Sequence, residues 1–236
     1  MQVIIEYWPE SRYIAGTMSV SAVIFDCDGV MFDSRQANIN FYNHILHHFD
    51  LPPIEGEDVE FVHMHTAEAS VNHIFRGSPY TAQAQRYRLT KLDYTPFIKD
   101  MVMEPGLVEL LEQLKSNYGL AVATNRSNTI EKVLEWHGLT GYFDIVVSSL
   151  DVANPKPHPD PILKILEFFG VGPHRCLYVG DSEVDYEVCR ASGVPLIAYR
   201  NGNLKAKYSI ESLLDILRIL QPCSQDNPVT QSKRGD

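Results

Sequence analysis

The chain is poor in cysteine: four in 236 residues (Cys27, Cys176, Cys189 and Cys223), with no C-x-x-C pair. That excludes a disulfide framework, and the thiols read as reduced, as in a cytoplasmic protein. Positive charge is scarce too. Twenty Lys and Arg stand against thirty Asp and Glu, a formal charge of −10, so the basic stripe needed on a nucleic-acid backbone is missing. No apolar run is long enough for a membrane, because the uncharged stretch Tyr13–Phe25 falls short of the roughly 20 residues of a spanning helix. Acids within the opening MQVIIEYWPESR break what would be the apolar region of an export signal. Repeats and low-complexity blocks are also absent. What remains, 44% hydrophobic and 21% charged residues, suffices for a core, and the length suits one large domain or one with a modest insertion.

Short apolar runs alternate with helix-period segments. Ala22–Phe25, Leu120–Ala123, Ile145–Val147, Cys176–Val179 and Val194–Ala198 read as buried strands. Between and after them lie apolar faces at helical spacing: Leu107/Leu110/Leu111/Leu114, Ile130/Val133/Leu134, Ile162/Ile165/Leu166/Phe169 and Ile210/Leu213/Leu214/Leu217. This alternation predicts an α/β fold, a Rossmann-like parallel sheet with helices on both faces. The first two strands are too far apart for one βαβ unit of about 30 residues. Residues 36–104, with patterns such as Tyr42/Ile45/Leu46/Phe49 and no convincing strand, read as an inserted α-helical cap. The expected organisation is a core of residues 18–35 and 105–220, a cap of 36–104, an N-terminal extension of 1–17 and a loose tail of 221–236.

In an open parallel sheet, ligands bind beyond the carboxyl ends of the strands. The first strand ends in Asp26-Cys27-Asp28-Gly29. Two carboxylates at i and i+2 on an extended backbone point the same way and repel unless a cation bridges them or one takes a proton; Asp28-Gly29 is equally a simple turn. The fourth strand ends in Gly180-Asp181-Ser182-Glu183-Val184-Asp185. Ser182 and Asp185 have the spacing of a capping box, an explanation that does not extend to Asp181. Asp26, Asp28 and Asp181 form a hard, all-oxygen cluster that suits Mg2+ better than zinc. Thr124-Asn125 closes the second strand beside a helix start at Asn128-x-x-Glu131, where the dipole favours anions. Lys156, held among prolines in Asn154-Pro155-Lys156-Pro157-His158-Pro159, offers a fixed positive charge to phosphate. Each feature has an ordinary structural explanation. Their joint occurrence at successive strand ends is the signal.

With these four motifs in order, Asp26-Cys-Asp28-Gly29-Val30, Thr124-Asn125, Lys156-Pro-His-Pro and Gly180-Asp181-Ser-Glu-Val-Asp185, the sequence resembles the haloacid dehalogenase-like hydrolase superfamily, particularly its phosphoglycolate phosphatase-like branch. The resemblance covers about residues 20–220 and is weaker over 36–104. It implies a nucleophile in Asp26, forming an aspartyl-phosphate, and a general acid and base in Asp28. Mg2+ would be held by Asp26, the Asp28 backbone carbonyl and Asp181, with Asp185 as a direct or outer support. Thr124, Asn125 and Lys156 would grip the phosphoryl oxygens. An aspartate at position 28 favours phosphate esters over carbon–halogen bonds. The implied activity is Mg2+-dependent hydrolysis of a small phosphorylated metabolite by a monomer or homodimer. The alternatives are a phosphomutase acting on a sugar phosphate, and a non-catalytic ligand-binding regulator of the same fold.

Substrate choice falls to the helical insertion. His63 and His65 are candidates for facing the site, and Arg76, Arg86 and Arg88 could meet a second anionic group or simply lie on the surface. His44, His47 and His48 share a helix face, but no carboxylate or cysteine completes a metal set. Asp33-Ser34 is expected to cap the first inserted helix.

Overall fold

The computed structural model describes residues 20–221; the expected extension at 1–17, Cys223 and the tail from 222 onward lie outside them. Strand β1 (Ala22–Phe25) is followed by a two-residue strand β2 (Phe32–Asp33). The chain then forms helices α1 (Arg35–His48), α2 (Glu57–Met64), α3 (Ala67–Ile74), α4 (Thr81–Thr90) and α5 (Thr95–Ile98). Strand β3 (Val102–Met103) leads to α6 (Leu107–Leu114), β4 (Gly119–Ala123), α7 (Ile130–Trp136) and β5 (Ile145–Val147). Helix α8 (Asp160–Phe169), β6 (Cys176–Gly180), α9 (Glu183–Ser192), β7 (Leu196–Tyr199), β8 (Tyr208–Ile210) and α10 (Asp215–Leu220) complete the order.

The main sheet runs β5-β4-β1-β6-β7-β8, with every pairing parallel. Side chains alternate across β1: Val23 and Phe25 enter the core that holds α6, α7 and α10, whereas Ala22 and Ile24 enter the one that holds α8 and α9. Both faces are therefore covered, which is why the inner strands carry almost no polar residue. All five predicted strands are present, the last of them starting at Leu196 rather than Val194. Strand β8, at the edge, corrects the helical reading of Ile210/Leu213/Leu214/Leu217: Ile210 ends a strand too short to leave a period-two signature, and the last helix starts only at Asp215.

The expectation that residues 36–104 hold no strand fails at Val102–Met103, which pairs antiparallel with Phe32–Asp33. The two chain segments entering and leaving the five helices thus run side by side. Glu104 fastens this ribbon to the sheet. Its backbone N–H donates to the Met31 carbonyl at 3.0 Å, and its carboxylate accepts from the Tyr199 hydroxyl at 2.7 Å. Arg200 lies 2.8 Å from the same carboxylate. Two histidines of α1 pack against α4: His48 stacks on Tyr87 with ring centres 3.9 Å apart, and His44 meets the Tyr87 hydroxyl at 3.2 Å. The described cysteines, Cys27, Cys176 and Cys189, are free and buried. No helix among the described residues is long and apolar enough to cross a membrane.

Gly119 opens β4 where Phe169 of α8 lies against the sheet, so a Cβ there would come within 2.5 Å of the ring. Gly119→Ala is expected to cost about 1–3 kcal/mol, read as a fall of several degrees in Tm by calorimetry. An unchanged Tm would show that α8 yields freely.

Candidate active site

Strand β1 has β4 on one side and β6 on the other, so the ends of all three meet at one rim. The Asp26 N–H extends the ladder, donating to the Val179 carbonyl at 2.9 Å, and Thr124 does the same to Val147 at 3.0 Å. Asp26, Asp28, Thr124, Asn125, Lys156, Asp181, His63 and His65 line one cleft between this rim and the helices α1–α5. The structure therefore brings together the predicted residues; Asp185 joins them from beneath the cleft, where it is wholly buried.

Lys156 is the centre of the arrangement. Its ammonium lies 2.9 Å from Asp26 Oδ1 and 2.7 Å from Asp185 Oδ1, and it donates to the Tyr178 hydroxyl at 2.9 Å. Burial alone would lower its pKa, but the two carboxylates hold it above its ordinary value. Asp185 has no acceptor capacity to spare. Oδ1 also accepts from Tyr178 at 2.8 Å, and Oδ2 accepts from the Ser182 hydroxyl at 2.6 Å and from the backbone N–H groups of Asp181 and Ser182. Ser182 and Asp185 complete the capping box of α9. Burial pushes Asp185 up, yet Lys156 and these donors keep it below the usual carboxylate range.

Asp181 is the opposite case. Its backbone is anchored, with the carbonyl accepting from the Asn201 amide at 2.8 Å, but no donor among the described residues reaches its carboxylate. Gly29 (φ +82°) makes room for it: a Cβ at Gly29 would lie 2.0 Å from Asp181 Oδ2, so the turn after β1 demands glycine. Burial, then Asp185 and Asp26, raise Asp181 to about 8. Burial likewise raises Asp26 to about 7, with Asp185 and Asp28 adding to it against the pull of Lys156. Oxygens of Asp26, Asp181 and Asp185 lie within 4.8 Å of one another. A half-buried carboxylate without a donor, facing another that is only partly compensated, is a site short of positive charge. A divalent cation that prefers oxygen fits it.

Asp28 is clasped by a residue not anticipated from the sequence. Arg126 donates from Nε to Asp28 Oδ2 at 2.7 Å and from Nη2 to Oδ1 at 2.5 Å, a bidentate pair. Burial would raise Asp28, but Arg126 holds it below its ordinary value. Arg126 also donates to the Tyr94 hydroxyl at 3.2 Å; Tyr94 donates in turn to Asn38 at 3.0 Å, tying the pair to the helices. The expected capping role of Ser34 is corrected here. Ser34 stands at the N-terminus of α1 but makes no side-chain cap; its hydroxyl donates to Asp28, and Asp33 accepts from the Arg35 N–H instead at 3.2 Å. Helix α7 similarly begins at Ile130 behind Thr129 with no side-chain cap, so Asn128 does not open it.

Asn125 Nδ2 donates to the Lys156 carbonyl at 3.1 Å and the Met64 carbonyl at 3.3 Å, linking α2 to the lysine loop; its Oδ1 is buried without a partner. Thr124 Oγ1 accepts from the Arg126 N–H at 3.1 Å, which leaves its own proton free to donate. His63 meets Asn38 at 3.4 Å, and His65 meets the Phe61 carbonyl at 2.9 Å.

Residues 23–199 match the family model described as haloacid dehalogenase-like hydrolase. The chain belongs to that family. Pyrophosphatase PpaX of Bacillus mycoides is 27% identical over 218 residues, covering 86% of this chain and 98% of that protein. Phosphoglycolate phosphatase of Escherichia coli O157:H7 is 25% identical over 211 residues, covering 78% and 82%. A crystal structure of a HAD-superfamily hydrolase, subfamily IA, variant 1, from Geobacter sulfurreducens superposes with a TM-score of 0.71 at 41% identity, covering 86% of this chain and 97% of that one. The chain is therefore an enzyme of the hydrolase class with phosphatases among its relatives, and its sheet is that of the family.

Asp26 and Asp181 bind protons more readily in the folded protein than in the unfolded chain, whose carboxyls titrate near 3.8. Without metal, stability is therefore expected to fall as pH rises from about 4 to about 8. A divalent cation at a hundredfold excess over its Kd should add about 2.7 kcal/mol, or about 5–10 °C in Tm. Asp181→Asn should remove its own share of the slope, leaving that of Asp26, and most of the metal shift. Melting curves insensitive to both metal and pH would contradict the charge deficit.

Proposed function

We propose that the protein is a Mg2+-dependent phosphatase that hydrolyses a small-molecule phosphate monoester through an aspartyl-phosphate on Asp26. The observation that carries this reading is the placement of Asp26 between the Lys156 ammonium, at 2.9 Å, and the donor-free carboxylate of Asp181. Asp26 must be ionised to attack. Burial and its acidic neighbours oppose that, and Lys156 acts the other way. Mg2+, held by Asp26, the Asp28 carbonyl and Asp181, would supply further positive charge against the nucleophile and the phosphoryl oxygens. Asp185, with its oxygens already occupied, supports the site from outside by fixing Lys156.

In the first half-reaction a carboxylate oxygen of Asp26 bonds to phosphorus as the ester oxygen departs, taking a proton from Asp28. In the second, Asp28 accepts a proton from water as the water oxygen bonds to phosphorus and Asp26 is released. Clasped by Arg126 and Ser34, Asp28 is in its ionised form, ready for that second step. To act first as an acid it must leave this clasp, take a proton from solvent and then face the ester oxygen. Because Arg126 reaches Tyr94, movement of the helices offers a means of loosening it. Helices α1–α5 are thereby assigned the role of a cap, and 36–104 its extent. Thr124 and Asn125 would orient the phosphoryl oxygens beside Lys156, while His63 and His65 face the leaving group. Buried, free cysteines suit a cytoplasmic enzyme acting on a phosphorylated metabolite.

Purified protein with Mg2+ is expected to release inorganic phosphate from an aryl phosphate, and Asp26→Asn to lower the rate on the order of 10⁴-fold or more with the fold intact. Lys156→Met should lose about 10²–10³-fold. Undiminished activity in Asp26→Asn would refute the nucleophile; transfer of phosphate onto a sugar, with none released, would indicate a mutase.

A further inference from the structure

The cleft that holds the site is also lined by Arg88 of α4 and by Lys132 of α7. Three of the cations facing it are neutralised. Lys156 is held by Asp26 and Asp185, Arg126 by Asp28, and Lys132 by Asp93 at 2.9 Å. Arg88 is different. Among the described residues it has no carboxylate at ion-pair distance, and its Nε and Nη2 share one neutral acceptor, Gln85 Oε1, at 3.3 and 3.2 Å. Its burial lowers its pKa, and Glu68 acts on it only through space. Of its five N–H donors, most are left for a ligand. The other two arginines noted in the sequence are placed differently: Arg76 pairs with Asp58 at 2.9 Å, and exposed Arg86 does not line the cleft.

A half-desolvated guanidinium without a counter-ion, opening into the cleft where a phosphate ester is to be cleaved, calls for an anion. Lys156 and the metal account for the transferred phosphoryl group, so Arg88, on the helical side, is left for the remainder of the substrate. We propose that Arg88 is a specificity-determining residue that binds a second anionic group, carboxylate or phosphate, on the leaving alcohol. The inference rests on the phosphatase reading and narrows its substrate class to monoesters of acidic alcohols. The planar fork of arginine matches both anions, whereas lysine offers only a point charge. Binding energy from this remote group would be drawn on in the transition state, raising kcat/KM for acidic esters over neutral ones.

The test measures kcat/KM of the full-length, Mg2+-loaded protein on short alkyl phosphates, on ω-carboxyalkyl phosphates of the same chain lengths, and on the matching alkanediol bisphosphates. At one chain length or more, an anionic series is expected to exceed its neutral counterpart by about 10- to 100-fold. The series that does so identifies the second group as carboxylate or phosphate. Arg88→Met should bring that ratio close to one, and Arg88→Lys should keep part of it. A merely structural role would lower every series in parallel and leave the ratio unchanged, which would overturn the inference. So would wild-type protein that cleaves neutral and acidic esters equally well at all lengths. Hydrolysis of none of them would sink the phosphatase reading itself, and the inference with it.

Discussion

The site turns on one buried ammonium. Lys156 brings its charge into a rim where Asp26, Asp28, Asp181 and Asp185 converge, and it favours the ionised forms of the two carboxylates it touches, Asp26 and Asp185. An isolated ion buried this way carries a penalty of several kcal/mol, so every partner matters. Asp185 and the Tyr178 hydroxyl meet the remaining needs of Lys156 from below, and the Tyr178 hydroxyl is itself fixed against the Ala123 carbonyl at 3.2 Å. The β6 strand supplies Tyr178 and leads into Asp181 and Asp185, so one stretch of chain both anchors the lysine and presents the acidic rim. Preorganisation of this kind puts charge where a phosphoryl group would need it before any ligand arrives.

A second buried ion pair divides the work. Arg126 and Asp28 satisfy each other bidentately, and through Tyr94 and Asn38 the pair reaches the helices. The first network joins the end of β1, the lysine loop and α9; the second joins two strand ends and, through Tyr94, reaches Asn38 of α1. That difference separates the group proposed to attack phosphorus from the one proposed to move protons: the former is fixed by rigid strand ends, and the latter is bound to an element joined to the core by a thin ribbon, Phe32–Asp33 against Val102–Met103. Glu104, held by Tyr199 and Arg200, keeps that ribbon against the sheet.

Much of this was legible in the order of residues, for a physical reason. Parallel strands buried on both faces must be continuous apolar runs, so Ala22–Phe25, Leu120–Ala123 and Cys176–Val179 stood out, and the polar residues that end them mark the rim. Short elements left no such mark: β2 and β3 have two residues each, and β8 has three. Arg126 escaped notice because a lone arginine after Thr124-Asn125 reads as a solvated charge; only the fold shows it buried against Asp28, although the carboxylate at 28 already required a partner. Ser34 was misjudged in the same way. Its position fits a cap, but its hydroxyl is turned to donate to a buried acid six residues earlier, and in that orientation its oxygen accepts from no helix N–H. Asp185 fitted both a cap and a cation support; the geometry shows that it caps α9 and fixes Lys156 at once.

The central claim is that the Asp26 carboxylate, ionised beside Lys156, is the atom group that bonds to phosphorus. Acid-quenched single turnovers analysed by peptide mass spectrometry test it most directly. The account predicts one phosphoryl group, labile to hydroxylamine, on the peptide carrying Asp26 and reduced in yield by Lys156→Met. Turnover with no modified Asp26 peptide at any quench time, or with the phosphoryl group on another residue, would contradict it.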